Sequence, residues 1–167
     1  SKLQAKTIEL NMEVFDVTEL IQMILSHYQY LVETEGFHFV FDDAIHYKVR
    51  ADKKRIEQVI YNLINNAINY TGTNKTVTIV LTDQQDTVLV EVKDSGKGID
   101  PKDIDLIWDK YYKVDKKYQR NQYGTGIGLS IVKNILIQHG SKYGVNSQKR
   151  KGTTFYFELE KVGEINS

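Results

Sequence analysis

Between Lys53 and Tyr70 the stretch KKRIEQVIYNLINNAINY sets Ile56, Val59, Ile60, Leu63, Ile64, Ala67 and Ile68 on one broad stripe at helical spacing. A helix with so wide an apolar face needs a second layer to cover it. Two candidates follow directly. Residues 76–82 (TVTIVLT) and 87–94 (TVLVEVKD) alternate apolar and polar side chains on either side of the polar turn DQQD.

The remaining segments extend this plan. In DVTELIQMILSHYQYLVETEG, Asp16 reads as a cap with Glu19 in a capping-box position. Leu20, Ile21, Ile24, Leu25, Tyr28 and Leu31 carry one helical period toward a stop at Gly36. FHFVF and YKVRA read as short strands, and Asp100-Pro101 opens a short helix. Residues 108–124 show no clear period and read as a long loop. A third helix starts in GTGIGLSIVKNILIQHG and stops at Gly140, and KYGVNS and TTFYFELE close the chain as paired strands. This order predicts an α+β protein, a two-layer α/β sandwich with helices on one sheet face. Residues 1–15 are expected to be a linker, 16–161 the domain and 162–167 a frayed end.

Twenty-two basic residues balance twenty-two acidic ones, so no net field attracts nucleic acid or an anionic membrane. The absence of Cys excludes disulfides, thiol nucleophiles and thiolate metal sites. No signal-peptide pattern or membrane-length apolar run is seen, which fits a cytoplasmic domain.

Opposite the apolar stripe, Asn62, Asn66 and Asn69 stand one above another, with Tyr70 at the edge. An amide offers an acceptor and two donors without charge, which suits a phosphate-bound Mg²⁺; the other reading is an exposed face with a chance excess of Asn. DSGKGI follows a strong strand. Asp94 there could accept from an exocyclic amino group, and Gly96 and Gly98 permit close approach, or the segment is a plain surface turn. YGTGIGLS is either an anion site at a helix start or a hinge. It lacks the Gly-Lys-Ser/Thr of a P-loop, and Leu129 stands where a Rossmann fingerprint needs its third Gly.

Taken together and in this order, NLINNAINYT, DSGKGI, IWDKYYKVD, GTGIGLSIVK and GTTFYFEL resemble the N box, first glycine box, F box, second glycine box and final glycine motif of the catalytic ATP-binding domain of bacterial sensor histidine kinases. That domain shares a superfamily with DNA gyrase B, MutL and heat-shock chaperones. The resemblance runs from Asp16 to near Glu160. It implies the Bergerat fold, a mixed, mostly antiparallel sheet covered on one face by about three helices. It also implies that Asn66 coordinates Mg²⁺, with Asn62 in the same polar site, and that Tyr70 lies against adenine or ribose. Asp94 would accept from the adenine amino group, with Gly96, Gly98 and Ile99 passing close to the base. Gly124, Gly126 and Gly128 would wrap the phosphates, with Tyr123, Thr125, Ile127 and Leu129 in the same loop. Thr153 and Thr154 would support the pocket floor, and Lys113 would place a cation near the phosphates. Two departures stand out: Asn69 occupies a position often held by Lys, and Trp108 replaces the usual Phe of the F box. Lys113, or Lys116, Lys117 or Arg120, could supply the missing cation.

Members that hydrolyse ATP carry a Glu where this chain has Asn62, and an amide cannot take a proton from water at neutral pH. That favours phosphoryl transfer to a partner group. None of His27, His38, His46 and His139 stands in the family's acceptor pattern, since the one Pro is Pro101. The resemblance therefore implies a domain that binds Mg-ATP and phosphorylates a His on a separate dimerisation domain, releasing ADP and serving a response regulator. The lead-in to Val17 resembles the link from such a domain. The isolated chain is expected to be a monomer without nucleic-acid or membrane contact, its full-length parent membrane-anchored. The alternatives are a serine kinase of the anti-sigma-factor type and a non-catalytic module that senses adenine nucleotides.

Overall fold

On one strand Val88, Val90 and Val92 are buried, and on its neighbour Phe155, Phe157 and Leu159 are buried, so both turn the same face inward. A computed structural model describes residues 9–109 and 128–163. In chain order its elements are β1 (Glu13–Asp16), α1 (Val17–Ser26), α2 (Gln29–Glu35), β2 (His38–Phe41), β3 (Lys48–Ala51), α3 (Lys53–Tyr70), β4 (Thr76–Asp83) and β5 (Thr87–Asp94). A 3₁₀ turn (Pro101–Asp103), α4 (Gly128–Gln138), β6 (Tyr143–Gln148) and β7 (Gly152–Lys161) complete them.

The strands form one sheet in the order β1-β3-β7-β5-β4-β2, with β6 also on β7. β2 joins β4 in parallel, and the other pairings among the described strands are antiparallel. The core lies between this sheet and the helices. α1 contributes Leu20, Ile21 and Ile24; α3 contributes Ile56, Ile60, Leu63, Ile64 and Ile68; α4 contributes Val132, Ile135 and Leu136. The expected two-layer α/β sandwich with a mixed, mostly antiparallel sheet is what the chain forms.

Two local expectations change. The segment after Asp16 is two helices, not one. Asp16 does cap α1, accepting from the Glu19 N–H at 2.9 Å. At His27 and Tyr28 the N–H groups turn back to Ile24 and Leu25, and the helix stops. The break lets Tyr28 sink into the core at 5% exposure, where its ring meets Phe39 and Tyr61 and its hydroxyl donates to Asn65 Oδ1 at 2.7 Å. The apolar period survives because Tyr28 and Leu31 still face inward. α2 ends at Gly36, whose φ of 75° is the left-handed stop expected of it.

The end of the lead-in is also structured. Glu13–Asp16 pairs with β3, with Val14 exposed and Phe15 buried, so the sheet begins before the expected boundary at residue 16. Four alternating residues are too few to tell from coil by pattern alone. Asp100 does cap the expected short helix, with Pro101 opening it, and that helix is a three-residue 3₁₀ turn.

Candidate functional site

The apolar stripe of α3 packs into the core as the sequence requires. That fixes the azimuth of Asn62, Asn66, Asn69 and Tyr70, all partly buried along the flank of the helix. Asn65 has a different task, because it holds the Tyr28 hydroxyl. Asn62 faces the start of α4, donating from Nδ2 to the Gly128 carbonyl at 3.4 Å. The N box and the head of the second glycine-box helix are thus side by side.

Asp94 ends β5, in register with Val77 on one side and Thr153 on the other. Strand alternation continues the Val88–Val90–Val92 face, so its carboxylate points to the helix side of the sheet. Burial pushes its pKa up to about 6, opposed by the Gly96 N–H, which donates to Oδ1 at 2.8 Å, and by the Thr153 N–H. An ionised carboxylate has about four lone-pair positions, so these two bonds leave room for another donor.

The glycines bring three segments into backbone contact. A Cβ on Gly96 would fall 1.7 Å from the Tyr70 carbonyl oxygen, and one on Gly98 (φ 82°) would fall 2.2 Å from that of Gln148. The end of α3, the DSGKGI loop and the β6–β7 turn therefore close on one another. Side chains add polar ties that the sequence reading missed. Ser147 Oγ accepts from the Ile99 N–H at 2.7 Å and lies 2.9 Å from Thr153 Oγ1. Thr71 Oγ1 donates to the Thr76 carbonyl at 2.9 Å and lies 3.4 Å from Ser95 Oγ, which donates to Asn74 Oδ1 at 2.6 Å. One signal for Ser147 was available: it takes the inward position after Tyr143 and Val145, where an apolar residue would be usual.

The structure brings Asn62 to Gly128, Tyr70 to Gly96, and Asp94 to Gly96 and Thr153. Ile99 and Leu129 pack against the core. Thr154 does not join Thr153. It pairs with Lys93 and, by the two-residue period of β7, occupies the other sheet face. Trp108 packs edge-on to Tyr143 and Phe155, with ring centroids 5.3 and 5.5 Å away, a core role that suits its substitution for Phe. Lys113, Tyr123, Gly124, Thr125, Gly126 and Ile127 lie outside the described residues, as do Lys116, Lys117 and Arg120. Among the described residues no group of three His, Asp or Glu could hold a metal ion. A cation at Asn66 would have to arrive with its own phosphate ligands. From Asn62 an open groove of about 820 Å³ runs past Tyr61, Gln58 and Glu57 to Asp52 and the Glu9–Glu13 lead-in.

This arrangement, with amides on one helix facing the head of another and a strand-end carboxylate beyond a glycine loop, defines an ATPase-type fold. Residues 51–163 match the family of histidine kinase-, DNA gyrase B- and HSP90-like ATPases, and the chain belongs to that family. Within it, the chain is of the ATP-binding catalytic type found in sensor histidine kinases. Sensor protein SrrB of Staphylococcus aureus strain NCTC 8325 is 32% identical over 161 residues, which is 96% of this chain and 28% of that protein. The nucleotide-free catalytic domain of histidine kinase ThkA superposes with a TM-score of 0.77 at 29% identity, over 91% of this chain and 97% of that one. Full-length ShkA in complex with AMPPNP shares the fold, with a TM-score of 0.80 at 22% identity over 98% of this chain and 34% of that one. Among the described residues no helix is long and apolar enough to cross a membrane.

Proposed function

We propose that this chain binds Mg-ATP and donates the γ-phosphoryl group to a histidine on a separate dimerisation domain, with ADP leaving. The observation that carries this reading is the pairing of a neutral amide, Asn62, with the head of α4 at Gly128, at the position where a hydrolase would need a carboxylate base. The donor set fits a metal delivered by its nucleotide: an amide oxygen at Asn66, with Asn62 in the same polar site, and no carboxylate cluster among the described residues. When bound, Mg²⁺ would neutralise phosphate charge as the phosphoryl group moves.

The protein's own part is placement. Asn66 would hold the metal and Asn62 would orient the phosphate end. Asp94 would accept from the base amino group, which selects adenine over guanine, and Tyr70 would cover the base or ribose with its ring. The groove leading from Asn62 along α3 is an open approach for an acceptor side chain. In this reading the lead-in connects to the dimerisation domain and the phosphoryl group passes onward to a response regulator.

The test is a two-stage assay. Calorimetric titration with ATP, ADP and GTP, with and without Mg²⁺, is followed by transfer from labelled ATP to an added dimerisation domain bearing its acceptor His. Adenine-selective, Mg²⁺-sensitive binding and acid-labile labelling of that domain are expected. Equal affinity for GTP would refute the role of Asp94. Binding without transfer would leave a nucleotide-sensing module.

A further inference from the structure

α3 and α4 run antiparallel, and each end of their contact is tied by a hydrogen bond. At the site end Asn62 Nδ2 reaches the Gly128 carbonyl. At the far end the Asp52 N–H donates to His139 Nε2 at 3.0 Å, while His139 Nδ1 lies 2.9 Å from the Ile135 carbonyl in its own helix. A nitrogen that receives an N–H must present its lone pair, so Nδ1 carries the proton and both ring nitrogens are engaged. Asp52, only 6% exposed, also uses both carboxylate oxygens. Oδ1 caps α3 by accepting from the Arg55 N–H at 3.2 Å, and Oδ2 accepts from the Asn11 N–H, in the segment leading into β1, at 2.9 Å.

We propose that Asp52 and His139 form a positioning joint through which the lead-in at Asn11 sets the spacing of α3 and α4, and hence of Asn62 and Gly128. Asp52 lines the far end of the groove but neither residue meets Asn62 or Gly128, so both act on that pair through the helices they tie. The inference rests on the nucleotide reading of that site and adds to it a link between nucleotide affinity and the chain entering the domain. By reciprocity, a nucleotide that favours one helix spacing must also favour the Asn11–Asp52 bond, and the bond must favour the nucleotide.

The experiment uses the 167-residue chain and two variants. His139→Ala opens the far tie, and Asn11→Pro deletes a single N–H at the end of the groove away from Asn62. ADP-Mg affinity is read by calorimetry, the Asn62 side-chain amide by NMR and the Asn11 N–H by hydrogen exchange. Removal of such an outer partner should weaken ADP-Mg binding by about tenfold in His139→Ala, in the range seen when residues that orient metal ligands are lost. In the parent, ADP-Mg should slow exchange at Asn11; in His139→Ala that slowing should vanish. Asn11→Pro should shift the Asn62 amide resonance and lower ADP affinity several-fold. Folded variants with parental affinity and parental Asn62 resonances would overturn the joint. Should His139→Ala fail to fold, Asn11→Pro decides alone by the same two readouts. If the parent binds no ADP, the nucleotide reading fails. The joint then stands on the Asn62 resonance in Asn11→Pro, a shift supporting it and no shift overturning it.

Discussion

Replacing Asp94 by Asn should strengthen the fold while weakening the site. Folding raises the Asp94 pKa from 3.8 to about 6, mainly by burial. A shift of about 2 units costs the ionised fold about 3 kcal/mol. The folded chain holds the proton up to about pH 6, whereas the unfolded chain releases it near 3.8. The folded state thus binds more protons across that window, and stability falls as pH rises through it. Asn removes the charge. Its Oδ1 can still accept from Gly96, but its NH₂ cannot accept from the Thr153 N–H, which returns about 1 kcal/mol. A net gain of about 2 kcal/mol is expected at pH 7.5, shrinking toward zero or below at pH 3.5, where Asp94 is protonated in the folded state and mostly so in the unfolded one. ADP affinity should move the other way, falling at least about tenfold with loss of a charge-assisted acceptor. In the parent it should also decline as pH drops below about 6. Urea unfolding at both pH values, with ADP titration at the higher one, reads each number. A variant that is less stable at pH 7.5, or whose stability change is the same at both pH values, would refute the argument.

Other substitutions separate scaffold from chemistry. Ser147→Ala should cost about 1–2 kcal/mol in thermal unfolding, because the partly buried Ile99 N–H loses its acceptor. Gly96→Ala should be far more damaging, at least about 3 kcal/mol, since the added carbon meets the Tyr70 carbonyl and no side chain can move aside. Asn66→Ala should leave the unfolding midpoint within about 0.5 kcal/mol of the parent, as expected for a partly exposed position, yet abolish Mg²⁺-dependent transfer.

The parts legible in the sequence are those that local chemistry determines. α3 was readable to its ends because its apolar stripe stops where Tyr70 gives way to Thr71 and Gly72. The β4–β5 hairpin was readable because Val77, Ile79, Val88, Val90 and Val92 are buried on one face while the alternate positions are not. Long-range packing decided what was missed. The break at Tyr28 exists because Asn65 and Phe39 receive that side chain, and neither lies nearby in sequence. β1 depends on β3, and Ser147 matters through Ile99. The opposite placement of Thr153 and Thr154 could have been read from the alternation of Phe155, Phe157 and Leu159. Both belong to one motif, and a motif does not record which way a strand faces.

The pairing of Asp94 with Thr153 also bears on biosynthesis. During translation, the N-box helix, the glycine loop and the third helix all emerge before β7 does. Until those ten residues dock between β5 and β6, Asp94 lacks the N–H that helps hold its carboxylate, and Gln148 has no strand to set its carbonyl against Gly98. A nascent chain halted before Gly152 would carry nearly every recognisable motif and still lack the Thr153 side of the candidate site. The candidate site is therefore complete only once β7 has docked, late in the emergence of the chain.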